Sequence, residues 1–371
     1  MRWFIAAILL VAIFGRPGSA LAQECEGDPI EGFVCFDPDR SDLSTGSVFS
    51  ASEGLAPRRA LREEEDELEV RAGDGRFGVF VNGSAAFRDI DQERELGSDG
   101  DIYGAVVGVD YTSNAFVAAL SLDYFNEDIN FDDNAGKNEA DEFGIQLLGI
   151  GYPVGNLYVI GATRVAYNEY DTERNITGNL GSTTAEGDPE GYKFLATGGV
   201  GYDFVLPQGF GLGVVASLEY ERTYVDSYEE EGAEQVQDNT LAPNLSFDSD
   251  DRNTLTSVLE LNATKAFSVP WGVLIPEAVF RYLHEFMDDP RTIEATSIEL
   301  QDVAGAETAV QFRTNRPDRN YFNVGGAITS VFPQGWALFV DYHAVVGHSF
   351  REEHVVNFGV RTDLATLRNL F

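Results

Sequence analysis

Basic residues are scarce in this chain. Its 25 lysines and arginines stand against 62 aspartates and glutamates, a formal net charge of −37. Nucleic-acid binding draws on basic patches, so this balance excludes a nucleic-acid partner. Long apolar runs are missing too. After residue 22 no stretch reaches the roughly 18 residues that a membrane helix needs, and the mean hydropathy of −0.17 agrees. Together these exclude a helical membrane protein. Cysteine is limited to Cys25 and Cys35, which in an oxidising compartment are expected to close one small disulfide loop. A reactive or metal-binding pair is the alternative, but no histidine lies near them in sequence. Histidine itself occurs only at His284, His343, His348 and His354. Three of these fall near Ser349 and Asp341, yet His343 and His348 are five positions apart and so lie on opposite faces of a strand. No catalytic, cofactor-binding or metal-ligating set is expected, and the chain reads as a non-enzyme.

What the sequence does contain begins with a secretion signal. Met1-Arg2 is a short basic start, Trp3 to Phe14 is apolar, and Ala20-Leu21-Ala22 is a small-x-small cleavage site. Residues 1–22 are expected to be removed as a signal peptide after the chain leaves the cytoplasm. The residues before Cys25 do not form a lipoprotein-type cleavage site, so no lipidation is expected. Residues 23–72 form a short polar segment ending in "APRRALREEEDELEVRAG". Arg59 with Glu63 and Glu67 with Arg71 have helical spacing, and Leu61 and Leu68 are one heptad apart. This piece is either a solvated charged linker or a helix with a specific seat.

From Arg76 onward the pattern changes to period two. Tyr192, Phe194, Ala196, Gly198, Val200, Tyr202 and Phe204 alternate with Lys193, Leu195, Thr197, Gly199, Gly201 and Asp203. Strict alternation means strands with one apolar and one mixed face. Further runs at 77–87, 102–112, 115–125, 142–152, 157–168, 210–220, 253–267, 273–286, 320–332, 336–346 and 354–364 bring the total to twelve. Each is about long enough to cross a bilayer at a tilt.

Every second connection is tiny: 112–114, 153–156, 207–209, 268–272 and 333–335. The others, at 88–101, 126–141, 169–190, 226–252 and 287–318, are long and hold most of the acids, with only 347–353 shorter. Short turns on one side and long loops on the other mark an all-β, 12-stranded antiparallel up-and-down transmembrane β-barrel. Thr308 to Thr314 would make a thirteenth strand and is read instead as a hairpin arm outside the membrane band. Aromatics flank the tiny turns: Tyr111 and Phe116, Tyr152 and Tyr158, Phe204 and Phe210, Phe267 and Trp271, Phe332 and Trp336. Such rings are expected to form an interfacial girdle. With the apolar set facing lipid, Asp123, Arg164, Lys193, Glu219, Glu221, Glu260, Glu277, Arg281, Glu285, Asp341 and Arg361 point into the lumen. There they form a plug network or line a narrow water channel. The acidic stretch "DINFDDNAGKNE" lacks the EF-hand register, with Asp133 where glycine would be needed. Loose divalent cations bridging the acidic loops to lipid headgroups are the most it implies.

From Asp74 to Leu364 the chain resembles the autotransporter β-domain, the translocator of type V secretion. The resemblance rests on "DIYGAVVGVDYTSNAFVAALSLDYFNEDINF", "GYKFLATGGVGYDFVLPQGFGLGVVASLEYERTYVDSY", "LIPEAVFRYLHEFMDD" and the closing "VVNFGVRTDL". Pro276, Tyr282 and His284-Glu285-Phe286 match the family's most specific strand. The resemblance implies a Gram-negative outer-membrane barrel occupying residues 73–364, with a helix in its pore, inserted by the barrel assembly machinery into outer-membrane lipid. It also implies an anchor or display role for residues 23–72, a reduced or passenger-less translocator. The alternative is a stand-alone diffusion channel or surface structural protein. A monomer is expected. Two features depart from the pattern. Only about 50 residues precede the barrel, and residues 365–371 follow the last strand, ending on Phe371 without an aromatic at Asn369. Some members cut the linker with an asparagine on the helix. None lies between Ala56 and Gly75, so no self-cleavage is expected.

Overall fold

The computed structural model describes residues 76–91, 97–113, 115–178, 181–233, 244–287, 292–298, 309–313 and 318–364. The expected signal peptide, the Cys25 and Cys35 pair, the charged linker or helix at 56–73 and the 365–371 extension lie outside the described residues.

The described chain is built of strands: β1 (Arg76–Ile90), β2 (Ser98–Thr112), β3 (Phe116–Phe131), β4 (Gly136–Val154), β5 (Leu157–Gly178), β6 (Gly181–Gly187), β7 (Glu190–Leu206), β8 (Phe210–Val225) and β9 (Tyr228–Glu229). Then come β10 (Leu245–Phe247), β11 (Asp250–Lys265), β12 (Phe267–Val269), β13 (Gly272–Glu285), β14 (Thr292–Ser297), β15 (Ala309–Arg313), β16 (Asn320–Val331), β17 (Trp336–Val346) and β18 (Arg351–Asp363). Twelve of them, β1 to β5, β7, β8, β11, β13 and β16 to β18, pair antiparallel with their sequence neighbours to form a wall. β1 closes it by pairing with β18 from Gly78↔Asp363 to Ile90↔Arg351. Closure leaves no unpaired edge, the condition for placing a sheet in hydrocarbon.

The alternation of the sequence is the alternation of the wall. Val81, Val107, Leu122, Leu147, Ile328, Val340 and Phe358 are each more than half exposed on the outside, while Asn82, Gln146, Arg164 and Asn357 are buried within. A water-soluble protein would reverse this arrangement, so the outer face is built for lipid. The interior also holds an apolar cluster that includes Phe80, Val106, Phe125, Leu148, Tyr158 and Leu195.

At the short-turn end the tripeptide Pro-Gln-Gly occurs twice and folds in two ways. In 207–209 both Gln208 (φ 68°) and Gly209 (φ 74°) are left-handed, whereas in 333–335 only Gly335 (φ 84°) is. There the Gly335 amide donates to the Phe332 carbonyl at 3.0 Å and the Phe332 amide to the Trp336 carbonyl at 2.8 Å. The proline of the family-like strand also has a physical signature. Pro276 pairs with Ile328 of β16, but the bonding of β13 to its other neighbour stops between Glu277 and Leu274. This is where β11 ends and β12 begins, because proline has no N–H to give.

The opposite end differs from the loops expected there. The 126–141 stretch is not a loop but the upper ends of β3 and β4, joined by a tight turn at Asp132–Asn134. Ile129 and Phe131 continue the inward set and pack with Ala135. The 169–190 stretch is likewise the top of β5 turning into β6. Within 226–252 and 287–318, β9, β10, β14 and β15 form a four-stranded sheet in the order β15-β14-β10-β9. The expected arm at 308–314 is therefore β15, outside the wall. Leu245, Phe247, Ile293 and Ala295 are its core, and Tyr228 stacks on Phe247 at 4.7 Å. A bridge between Glu186 and Glu231 joins this sheet to β6. The buried pair Arg174–Glu230, with bonds of 3.0 and 2.5 Å, clasps it to β5.

Candidate functional site

The lumen of the barrel is where the charged residues converge. Arg361 of β18 bonds Asp110 of β2 twice, at 2.8 Å each. β1 lies between those strands, and the side chains meet over Gly78, where a Cβ would collide with both. The same device recurs three strands on. Arg164 of β5 reaches Asp123 of β3 across Gly144 of β4, where a Cβ would again meet both partners. Arg164 also pairs with Glu142 at 2.5 Å, and Lys193 of β7 takes the other Glu142 oxygen at 3.0 Å. Higher up, Arg88 of β1 bridges Glu127 of β3 and Glu353 of β18, both at 2.9 Å. All these groups are buried. Buried charge persists only when paired, since an isolated ion would cost several kcal/mol. The half of the lumen from β18 round to β7 is thus cross-tied and nearly balanced.

The other half is different. A cavity of about 110 Å³ is lined by Val117, Leu148, Ile150, Ile160 and Val215 on one side. On the other, Glu219, Glu260, Glu277, Arg281, Asp341 and His343 are interspersed with Val258, Val279 and Phe339. Arg281 bonds Glu260 at 2.9 Å, and Asn262 donates to the other Glu260 oxygen at 2.9 Å. His343 sits 3.1 Å from Asp341, which also accepts from Asn357. Four carboxylates therefore line this cavity with one guanidinium and one imidazole. Among the described residues no set of His, Cys, Asp or Glu has the geometry to hold a metal ion.

Outside, rings mark two levels. At the short-turn end Tyr111 meets Phe116 at 5.6 Å, Trp271 meets Phe332 at 5.5 Å, and Lys265 lies over Phe210 and Phe267 at 4.2 and 5.2 Å. At the far end the tyrosine hydroxyls are held by polar groups. Tyr124 donates to Asp141 at 2.6 Å, Tyr220 to Asn253 at 2.6 Å and Tyr282 to Asn320 at 2.5 Å. Beyond that level the outward positions of the tall strands are mostly acidic, and the register sets like charges opposite one another: Asp89↔Asp99, Asp101↔Asp128 and Glu139↔Asp171. Desolvation, then the charges of Asp99 and Glu352, raise Asp89 above the ordinary carboxylate value. Desolvation and a bond to Asp188 do the same to Asp171. Arg222 relieves the repulsion in one place, lowering Asp251 through a 2.9 Å bond.

The structure places Asp123, Arg164, Lys193, Glu219, Glu221, Arg281, Asp341 and Arg361 buried on the inner face. Glu260, Glu277 and Glu285 are half-buried there, with Tyr321 donating to Glu285 at 3.0 Å. The lumen residues are not one network. Asp123, Arg164 and Lys193 are joined through Glu142, Arg281 joins Glu260, and Arg361 stands with Asp110. Phe116, Phe204, Phe210, Phe267 and Trp271 are exposed on the outer face, and Phe332 and Trp336 are half-buried. Tyr152 and Tyr158 are corrections. Both lie inside the lumen rather than in the outer girdle, Tyr152 packed against the interior cluster and Tyr158 fully buried and seated against Gly201. Both alternating sets of Leu157 to Ile160 are apolar, so the pattern there did not say which face is which. Arg88, Asp110, Glu127, Glu142 and Glu353 escaped the sequence reading. The signal for two ties was available: an inward glycine flanked, two strands apart, by an arginine and an acid.

The autotransporter beta-domain family model matches residues 79–343. The fold resembles the translocator domain of the autotransporter NalP from Neisseria meningitidis, at 18% identity and a TM-score of 0.59 over 85% of this chain and 97% of that one. It also resembles the β-domain of the Bordetella autotransporter BrkA, at 17% identity and a TM-score of 0.53 over 78% and 100% of the two chains. No curated protein sequence matches the chain.

Proposed function

Because the chain belongs to the autotransporter β-domain family, whose barrels are non-enzymatic outer-membrane translocators of Gram-negative bacteria, we propose that it anchors residues 23–72 at the cell surface by threading them through its lumen. The observation that carries this reading is where the wall begins. Arg76 opens β1 opposite Thr112, at the short-turn end. In a barrel of this kind that end faces the periplasm. A segment preceding residue 76 can reach the outside only along the barrel interior. On this reading residues 1–22 are the removed signal peptide, residues 73–364 the barrel and 365–371 an extension, and the whole chain is not an enzyme. The lumen ties hold the wall rigid around the segment, and both aromatic levels seat it in outer-membrane lipid. The barrel assembly machinery inserts it as a monomer, and divalent cations loosely screen the acidic outer rim.

Planar-bilayer conductance tests this. The full chain is expected to conduct weakly, and a variant lacking residues 23–72 to open a stable pore. Equal, open conductance in both would favour a diffusion channel instead. An epitope inserted at position 30 of the full chain should be stained on intact cells.

A further inference from the structure

Glu219 of β8 lies on the cavity wall, only 6% exposed, and makes no hydrogen bond or ion pair among the described residues. The cation that acts on it through space is Arg281, but that guanidinium is already bonded to Glu260 at 2.9 Å and to Asn323 at 3.4 Å. Glu221 and Glu260 repel it. The register of β7 with β8 sets Thr197 directly opposite Glu219. Thr197 lines the cavity too, and its hydroxyl oxygen is buried without a hydrogen-bond partner.

A carboxylate withdrawn from water is costly until a cation joins it, and a buried hydroxyl is costly until it is bonded. Two idle acceptors side by side therefore suit a donor with positive charge and more than one N–H. A primary ammonium brings three N–H donors on one charged atom. The remaining walls set the body of such a ligand. Leu148, Ile150, Ile160 and Val215 are apolar, which suits an alkyl chain. The cavity's volume of about 110 Å³ is several times the roughly 10–15 Å³ that admits one water, so the chain is a few carbons long. Charge sets the far end. Four carboxylates share this wall with Arg281 and His343, so a single ammonium leaves negative charge in excess and a second is favoured.

We propose that the cavity is a binding site for a short aliphatic diamine, with one ammonium on Glu219 and Thr197 and the alkyl chain against Leu148, Ile150, Ile160 and Val215. Wall residues alone make this site, so it does not rest on the path of residues 23–72. Calorimetric titration of the detergent-solubilised protein with butane-1,4-diamine tests it, on the full chain and on the variant lacking residues 23–72, because a segment in the lumen would compete for the space. Saturable binding of one molecule per barrel is expected in one chain or both, weaker with butan-1-amine and lost with butane-1,4-diol. Glu219→Gln is expected to weaken it at least about tenfold and Thr197→Val severalfold, while Asp89→Asn at the acidic outer rim leaves it unchanged. No saturable binding in either chain would overturn the site. So would binding that survives both lumen substitutions. Equal affinity for tetramethylammonium, which has no N–H, would also overturn it and needs no variant, since a chain of formal net charge −37 would then be attracting cations at large.

Discussion

Two inward glycines do more for the lumen than most of its charges. Gly78 and Gly144 each leave the gap through which an arginine reaches an acid two strands away. Gly144→Ala should push Arg164 off Asp123 and strand part of a buried charge, costing about 3 kcal/mol in thermal unfolding of the detergent-solubilised barrel. Gly198→Ala is the control. Nothing lies within 4 Å of its added methyl, and the unfolding temperature should hold or rise slightly. Gln146 makes a second test. Both of its amide atoms are buried without a hydrogen-bond partner, so Gln146→Leu is expected to stabilise the barrel by about 1 kcal/mol. If it destabilises, the amide has a use that the side-chain packing does not reveal. At this scale the sequence was readable where alternation was strict. Asp123, Arg164 and Lys193 each stand between neutral neighbours in an inward run, and they point inward in the structure. It was unreadable at Tyr158, where both faces are apolar, and at Glu127, which sits in a stretch taken for loop.

Elements overshoot the bilayer, and this explains most of what alternation could not show. In β3 the inward set continues through Ile129 and Phe131, but the outward set changes from Leu120 and Leu122 to Asp128 and Asn130. Once a strand leaves the hydrocarbon, its outer face turns polar, and a pattern read from that face looks like loop. The change of solvent is testable. Val107→Arg, on the lipid face, should cost about 2–4 kcal/mol, whereas Asn130→Arg should cost little. Above the bilayer the acidic pairs give stability a pH dependence. Asp171 has its pKa raised by desolvation and by Asp188, so the folded chain holds that proton more tightly than the unfolded one. The folded state is therefore favoured as pH falls through the raised value toward 3.8 and loses ground as pH rises. Asp171→Asn should stabilise the β5–β6 hairpin against proteolysis at pH 7 and show little advantage below pH 4, judged by cleavage rates at both values. An advantage that persists in acid would mean that charge is not the cause.

For the molecule as a whole, the balanced half and the acid-rich half of the lumen predict the ion selectivity of the barrel without residues 23–72. The variant lacking residues 23–72 should be cation-selective, with a reversal potential in a salt gradient on the cation side, because Glu219, Glu260 and Glu277 line its path. Glu260→Gln with Glu277→Gln should reduce that selectivity without closing the pore. Wall heights are unequal too. β4 and β5 run for 19 and 22 residues, but β17 and β18 for only 11 and 13. The mouth is therefore cut obliquely, like the lip of a jug. A chain emerging from the lumen meets a tall acidic screen on the β4–β5 side and open water above the β17–β18 hairpin. On the proposed threading, residues 23–72 would leave the lumen toward that hairpin, which gives a cylindrical wall a front and a back.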